Sequence, residues 1–587
     1  MKTRNINIIL TAIVIITFSV SCSDNFLEPK PLSFLSTSNT YQTVQGLQSG
    51  LNNCRKGLVK DFMLGGGHLQ IDYVGTDLAV AVNGGIHNYD TEMLPSTNSI
   101  ATQWEYAYTQ VKDANAILSN ALKLEADEEN QAELTKIRSI IGESYFFRAY
   151  WYYRLINLYG DVPLVLEEIT TPKLDFVSST RKRIIKQMTA DLEVAVDYLP
   201  GTVLQGEVSQ AAAQHLLTKY YLQGARFQDA VNTASKIIES PNHSLMQSRF
   251  GIAKDDDTKN VMWDLFNKAN IALPENTEKI MVILNRFGVV GNAGNSLRNR
   301  EFVSAWFNTI NDSQGKRGTV DGISGEPQIS FTGRGIGKSK KTNYYRFNLW
   351  SDKEDLRHAY PACWIPIDSL IYNNPASVDY RKKIVQATCT DTLKGFDDMF
   401  VNKILVEDEA LPKNEGANIT GGCTDWYVFR LAETYLLRAE AYVWLGGAGN
   451  SAKATADINE VRKRAKAQPI NTPATLDDVL DERARELYVE EFRRTELARI
   501  SYIMAANSMN GYTLENMGTK NYYYDRVMEK NNFYKENYVY NKVVYKMSPF
   551  HLYWPVPEAA IEANSKAVIN QNYGYIGYEK NVEPIDE

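Results

Sequence analysis

The stretch Gly142–Val165, GESYFFRAYWYYRLINLYGDVPLV, decides how the rest of the chain is read. One stripe of large residues extends it upstream through Ile137 and Ile140 and then runs through Ser144, Phe147, Trp151, Leu155 and Leu158. A second joins Tyr145, Ala149, Tyr152, Ile156 and Tyr159. Steps of three and four are helical spacing, and a helix that is apolar over most of its circumference is packed on several sides. Gly160 offers a C-terminal cap, and Pro163 forbids continuation. The sequence therefore predicts an interior helix with a hard stop, on which other helices lean.

The chain has 587 residues, 44% of them hydrophobic and 23% charged, a globular composition able to bury a large core or two. A net charge of -7 leaves no basic footprint for nucleic acid. The 35 tyrosines and 9 tryptophans supply faces that could stack on sugar rings, with helix packing the commoner use. Cys54, Cys363, Cys389 and Cys423 have no CxxC spacing, which argues against a zinc or thiol-redox motif. One or two disulfides remain open among them, with no pairing written in the sequence.

At the N-terminus, Lys2 and Arg4 precede the apolar run Ile8–Val20, which has signal-peptide proportions. It ends at Ser21-Cys22, and a small residue before a cysteine there resembles the bacterial lipobox, although Ser19 stands where Leu or Val is usual. Residues 1–21 are read as a lipoprotein signal peptide, Cys22 as the lipidated residue and 22–39 as a tether. Each acyl CH2 buried in a membrane contributes about 0.8 kcal/mol to such an anchor.

Helical periodicity marks Thr40–Leu58, Trp104–Leu124, Arg181–Leu199, Ser209–Gly224 and Phe227–Glu239. Between the first two lies Gly65–Thr97, rich in Gly, Asn and Asp and long for a bare connection; such loops are often binding loops. Helix pairs recurring at roughly 35-residue intervals point to tetratricopeptide-like units. From about Ser240 to Thr420 the apolar runs shorten; Ile280–Asn285 reads as a strand, and Gly288–Asn299, Gly315–Gly337 and Asn373–Asp379 as loops. Helices resume at Trp426–Leu445, Asn450–Lys466 and Leu476–Ile500. The expected organisation is a helical region 40–240 with a binding loop 65–97, a loop-rich variable insertion 241–425, and a helical region 426–587.

The sequence carries no GxSxG, HExxH, P-loop or GxGxxG, and its six histidines are scattered. Glu482, Glu486, Glu490 and Glu491 offer the paired carboxylates of a glycosidase. They alternate with Arg483, Arg485, Arg493, Arg494 and Arg499 at helical ion-pair spacing, so surface or interhelix pairing accounts for them. Glu143, Arg148 and Arg154 are likewise expected to pair between helices. The chain is read as a binding platform with no catalytic residues, cofactor or metal.

Several segments share one resemblance. Gly142-Glu143, Phe146, Arg148-Ala149, Tyr152, Leu155 and Tyr159–Pro163 match G-E-A-x-F-L-R-A-x-x-Y-F-x-L-x-x-x-[FY]-G-D-V-P. Phe26, Leu27 and Pro31 fit the opening of the same family, and Gly75-Thr76-Asp77 a segment common in it. Arg430–Ala441 matches R-x-A-E-x-[YL]-L-x-x-A-E-A, Asn459–Ala465 matches N-x-V-R-x-R-A, and Glu482–Arg494 matches E-R-x-x-E-L-x-x-E-x-x-R. Tyr553–Pro557 and Asn570–Tyr575 resemble the closing P-I-P and Q-N-P-G-[FY], with Tyr573 in place of the proline. The chain thus resembles the SusD/RagB family of Bacteroidetes outer-membrane lipoproteins over nearly its whole mature length.

The resemblance implies a mainly α, SusD-like scaffold of tetratricopeptide-like units with a loop-rich, partly β insertion. It implies a lipid-anchored, surface-exposed outer-membrane protein that captures oligosaccharide and delivers it to a SusC-like TonB-dependent transporter. The alternative is a RagB-like peptide-capturing or structural lipoprotein. For glycan contact the loop offers Asp77, Asn83, His87 and Tyr89, and the insertion offers Trp306, Arg346 and Trp350. Trp306 lies in a short apolar segment that equally suits core packing. Trp350 precedes the charged Ser351–Arg357 and is expected to be the more exposed.

Overall fold

The computed structural model describes residues 40–62, 68–289, 296, 298–321, 328–405, 421–471 and 473–587. The expected signal peptide, Cys22, the expected tether and residues 65–67 of the expected binding loop lie outside them. Among the described residues, the helices of ten or more residues are numbered in chain order. They are α1 (Val44–Phe62), α2 (Asn98–Asp127), α3 (Gln131–Tyr159), α4 (Arg181–Tyr198), α5 (Gln210–Gln223), α6 (Phe227–Ile238), α7 (Leu431–Leu445), α8 (Ala448–Arg464), α9 (Leu476–Glu486) and α10 (Arg493–Ala506). The protein is mainly α, with short two-stranded pairings.

Helix α3 is the interior helix that its sequence predicts. Every residue from Phe146 to Tyr159 is buried, and Gly160, at φ +70°, ends it with its amide on the Ile156 carbonyl. A helix without a polar face has to be enclosed, and α1, α2, α4, α5 and α10 do so. Gly142 permits the closest approach: a Cβ there would lie 2.9 Å from Leu199 Cγ. The charges of α3 are paired across helices, Glu143 with Arg55 at 2.6 Å, Arg148 with Asp191 at 2.8 Å and Arg154 with Asp72 at 2.8 Å.

From α2 to α8 each numbered helix packs on the next, as a helical-repeat stack requires. The stack steps from α6 directly to α7, so residues 239–430 leave it and return at the same point.

Two readings of the sequence need correction. Trp426–Arg430 is a strand, antiparallel to Lys279–Ile283, and α7 begins only at Leu431. Its residues WYVFR are buried on both faces, so no alternation separates them from a buried helix. Leu476–Ile500 is two helices, interrupted at residues 487–492, where Val489 takes φ +53°. None of the disulfides left open by the sequence is formed among Cys54, Cys363, Cys389 and Cys423.

The acids and arginines around that interruption are not on the surface. Glu482, Glu486, Arg483, Arg493, Arg494 and Arg499 are fully buried. Glu486 is held by Arg430 at 2.6 Å, by Arg357 at 3.1 Å and by Arg464; Glu482 is held by Arg357 at 2.6 Å and Arg462 at 2.8 Å. Beside them Arg483 joins Glu491 at 2.7 Å and Glu433 at 3.0 Å, and on α10 Arg499 joins Glu440 at 2.6 Å. Burial alone would raise the Glu482 carboxyl, but Arg357, Arg485 and Arg462 outweigh it and hold it at about 2; Arg464, Arg430 and Arg357 do the same for Glu486, which lies well below the usual carboxylate range.

These folded values lie below the unfolded value of about 4.3, so the stabilisation is present above that pH and is lost as pH falls toward the folded values. Thermal midpoints are therefore expected to be level from pH 7 to 5 and to fall steeply below about 4.5. Glu486→Gln, which leaves three buried cations short of one charge, is expected to cost about 3–5 kcal/mol in denaturant unfolding at pH 7. A loss under 1 kcal/mol would show that the network is not needed for stability.

Candidate functional site

The expected contact residues separate into two groups. Asp77 is fully buried and forms a two-cation clamp, with Arg493 and Arg526 each at 2.7 Å. Burial opposes its ionisation, but the two guanidinium groups hold its carboxyl well below the usual range. Tyr89 is buried against Tyr534 and His551. It fits there because Gly75, at φ +72°, has no side chain: a Cβ would lie 1.9 Å from the Tyr89 hydroxyl. This gives Gly75-Thr76-Asp77 a structural meaning, an opening for Tyr89 followed by a buried charge.

Trp306 is fully buried, and Trp350 is 3% exposed, stacked on His358 at 4.7 Å. The expectation of an exposed Trp350 is thus overturned. Of the charges after it, Lys353 and Glu354 stay exposed, while Asp355 and Arg357 fold inward and pair at 2.7 Å. None of Asp77, Tyr89, Trp306 and Trp350 presents a surface to a ligand. Arg346 is half-buried, and its guanidinium is taken by Asp398 through two bonds of 2.8 Å.

Asn83 and His87 do reach the surface, and they lie together. The strand Ala79–Ala81 pairs antiparallel with Ser339–Lys341 and delivers the loop Val82–Asn88 to the edge of the fold. Asn83 is exposed and donates to the Ile336 carbonyl at 3.1 Å. His87 is half-buried, with Nε2 3.0 Å from the Val82 carbonyl oxygen.

The sequence reading missed the third component, a hairpin near the C-terminus. Val539–Tyr540 pairs with Val543–Val544 through a two-residue turn, Asn541-Lys542, with φ +48° and +69°. Positive φ at both central residues is the turn that matches strand twist. Lysine is a poor marker of it, so VYNKVV carries only a weak hairpin signal. The hairpin is tied to the loop by the Lys546 amide on the His87 carbonyl and the Tyr89 amide on the Lys546 carbonyl.

The product is an aromatic ledge. The His87 ring lies 6.1 Å from Tyr540 and 5.3 Å from the buried Tyr545. Tyr538 beside them is 37% exposed. The Tyr540 hydroxyl donates to Asp391 at 2.7 Å, and burial together with that bond pushes the phenol up to about 12. Asp391 also caps a short helix through the Lys394 amide. The ledge thus combines partly open tyrosine faces with an amide, an imidazole and a carboxylate. That is equipment for holding a neutral, hydroxyl-rich ligand.

It is not equipment for hydrolysis by the acids around α9 and α10. Those are buried in ion pairs, and Glu482 stays ionised far below neutral pH, where a general acid has to keep its proton.

Comparison with known proteins agrees with this architecture. A family model described as the SusD family matches residues 387–575, and one described as starch-binding associating with outer membrane matches residues 38–222. The second match lies before the inserted segment and the first takes in its last part, residues 387–430, with the helices that follow; the chain belongs to the SusD/RagB family. SusD-like protein P2 of Formosa agariphila is 24% identical over 518 residues, 83% of this chain and 88% of that protein. Starch-binding protein SusD of Bacteroides thetaiotaomicron is 39% identical over 110 residues, 19% of each chain. Among solved structures, a laminarin binding SusD-like protein superposes with a TM-score of 0.62 at 19% identity, covering 90% of this chain and 99% of that one. Surface glycan-binding protein A from Bacteroides uniformis superposes with a TM-score of 0.59 at 19% identity, covering 90% and 99%.

Because a non-glycine residue at positive φ costs roughly 1 kcal/mol, Lys542→Gly is expected to raise unfolding stability by up to that amount. Lys542→Val, β-branched at the same φ, is expected to lower it. Denaturant melts of the two variants decide whether the turn is built as described.

Proposed function

We propose that this protein is a lipid-anchored, surface-exposed outer-membrane protein that captures oligosaccharides at the Asn83–His87–Tyr540 ledge and delivers them to a SusC-like TonB-dependent transporter. The observation that carries the reading is the match of residues 38–222 to the family described as starch-binding and associated with the outer membrane. The names of similar proteins, one laminarin binding and one surface glycan-binding, support the same ligand class. The chemistry of the ledge agrees: sugars present apolar C–H faces to tyrosine rings, and their hydroxyls bond to groups such as Asn83 and Asp391. Capture of this kind is binding without bond cleavage and calls for no cofactor.

The test is affinity electrophoresis of the Cys22→Ala chain through gels containing laminarin, starch and other polysaccharides. Retardation by a neutral glycan is expected, weakened at least tenfold in Tyr540→Ala and in the His87→Ala, Asn83→Ala pair. Retention by oligopeptides and by no polysaccharide would replace this reading with RagB-like peptide capture.

The anchor has its own test. Cys22→Ala is expected to abolish labelling by radioactive palmitate and to move the protein from the outer-membrane fraction to the soluble fraction. Unchanged labelling would remove Cys22 as the lipidated residue.

A further inference from the structure

A second concavity lies away from the ledge, where the end of α3, the start of α4 and the C-terminal segment meet. It has a volume of about 720 Å3, within the roughly 300–1,000 Å3 of ligand pockets. One wall holds Tyr502 and Tyr553, the other Tyr573 and Tyr578. Arg181 is buried between the first two, its guanidinium carbon 4.1 Å from the Tyr502 centroid and its Nη1 2.6 Å from the Tyr553 hydroxyl, so that wall is rigid and already satisfied.

The opposite wall is open. Tyr573 is 46% exposed and Tyr578 44%, edge to face with centroids 5.3 Å apart. Tyr573 is held in place from beneath: a Cβ on Gly518 would lie 2.4 Å from its Cδ1, so the ring rests on the glycine backbone. Tyr573 is also the residue that departs from the closing Q-N-P-G-[FY] pattern, and the departure puts an aromatic face into the cleft.

At the floor, one oxygen of Asp161 accepts the Arg181 amide hydrogen at 2.7 Å. Its other oxygen has no protein donor among the described residues. Glu515, Glu583 and Asp586 add carboxylates against Lys182 and Arg181, and Asp586 is itself bonded to Thr180 at 2.6 Å.

We infer that this cleft is a second carbohydrate site, which takes a short run of a neutral pyranose chain and turns away anionic sugars. Tyr573 and Tyr578 supply the stacking faces, and the free oxygen of Asp161 accepts from sugar hydroxyls. The surplus of carboxylates repels uronate or sulfate groups. The inference shares with the proposed function the premise that the protein binds glycans, but it does not depend on the ledge.

The test is hydrogen–deuterium exchange of the Cys22→Ala chain with laminarin, starch and alginate in turn, paired with affinity electrophoresis. Laminarin or starch is expected to protect residues 570–586 and 514–519, in the parent and equally in Tyr540→Ala. Tyr573→Ala with Tyr578→Ala is expected to abolish that protection and, added to Tyr540→Ala, to weaken the remaining retardation at least tenfold, while Tyr573→Phe, which keeps the face, retains both. Protection at the ledge alone, with retardation unchanged in the double variant, would overturn the second site and leave the ledge standing. Protection at the cleft alone would support it and overturn the ledge. Protection of the cleft by alginate, or by none of the three, would overturn the proposal.

Discussion

Everything in this molecule that is exposed depends on a set of charges that are not. Glu482, Glu486, Glu491 and Glu496, with Arg483, Arg493 and Arg499, sit buried on or between α9 and α10. Their partners come from far along the chain: Lys219 from α5, Arg357 and Lys403 from the insertion, Arg430 from the end of the strand Trp426–Arg430, and Glu433 and Glu440 from α7. A buried charge without a partner is strongly destabilising, whereas apolar contacts tolerate sliding. A network of this kind therefore fixes relative position more than it adds stability. It locks the loop-bearing segment to the helical stack.

The candidate ledge inherits that fixity. Asp77 clamps Arg493 of α10 to Arg526, and two residues later the chain enters the strand that carries Asn83 and His87 outward. The hairpin that supplies Tyr540 follows Arg526 by only a short helix and a turn. One buried carboxylate thus orients both halves of the ledge. Asp77 is a buried positioning charge beneath the ledge, although as a polar residue in a polar loop it looks like a contact residue in the sequence.

How much could be read in advance depended on the kind of constraint. Helix α3 was legible because enclosure on all sides writes two apolar stripes at helical spacing. Its inward charges were legible too, since a buried Arg148 or Arg154 requires a partner. The strand Trp426–Arg430 was not, because burial on both faces erases alternation. Trp350 was misjudged because charged neighbours usually mark solvent, and here Asp355 and Arg357 neutralise each other inside. Asn83 and His87 reach the surface, as a Gly-rich loop with few packing duties allows. Tyr538, Tyr540 and Asp391 were missed because their meaning arises only when residues far apart in sequence meet, and the Asn541-Lys542 turn announces itself weakly.

The direct packing of α6 on α7 sets an order of assembly. The chain is made from its N-terminus, so α6 is complete long before residues 239–430 and then α7 have followed. Until then the stack ends in an apolar face whose neighbour does not yet exist. The face of α6 that α7 covers in the finished protein is uncovered during that interval. Contacts of such sequence separation close late and slowly. The half-built repeat is therefore the stage most exposed to aggregation and most in need of an escort. An insertion between two helices that pack on each other thereby also lengthens the time for which the scaffold stays unfinished.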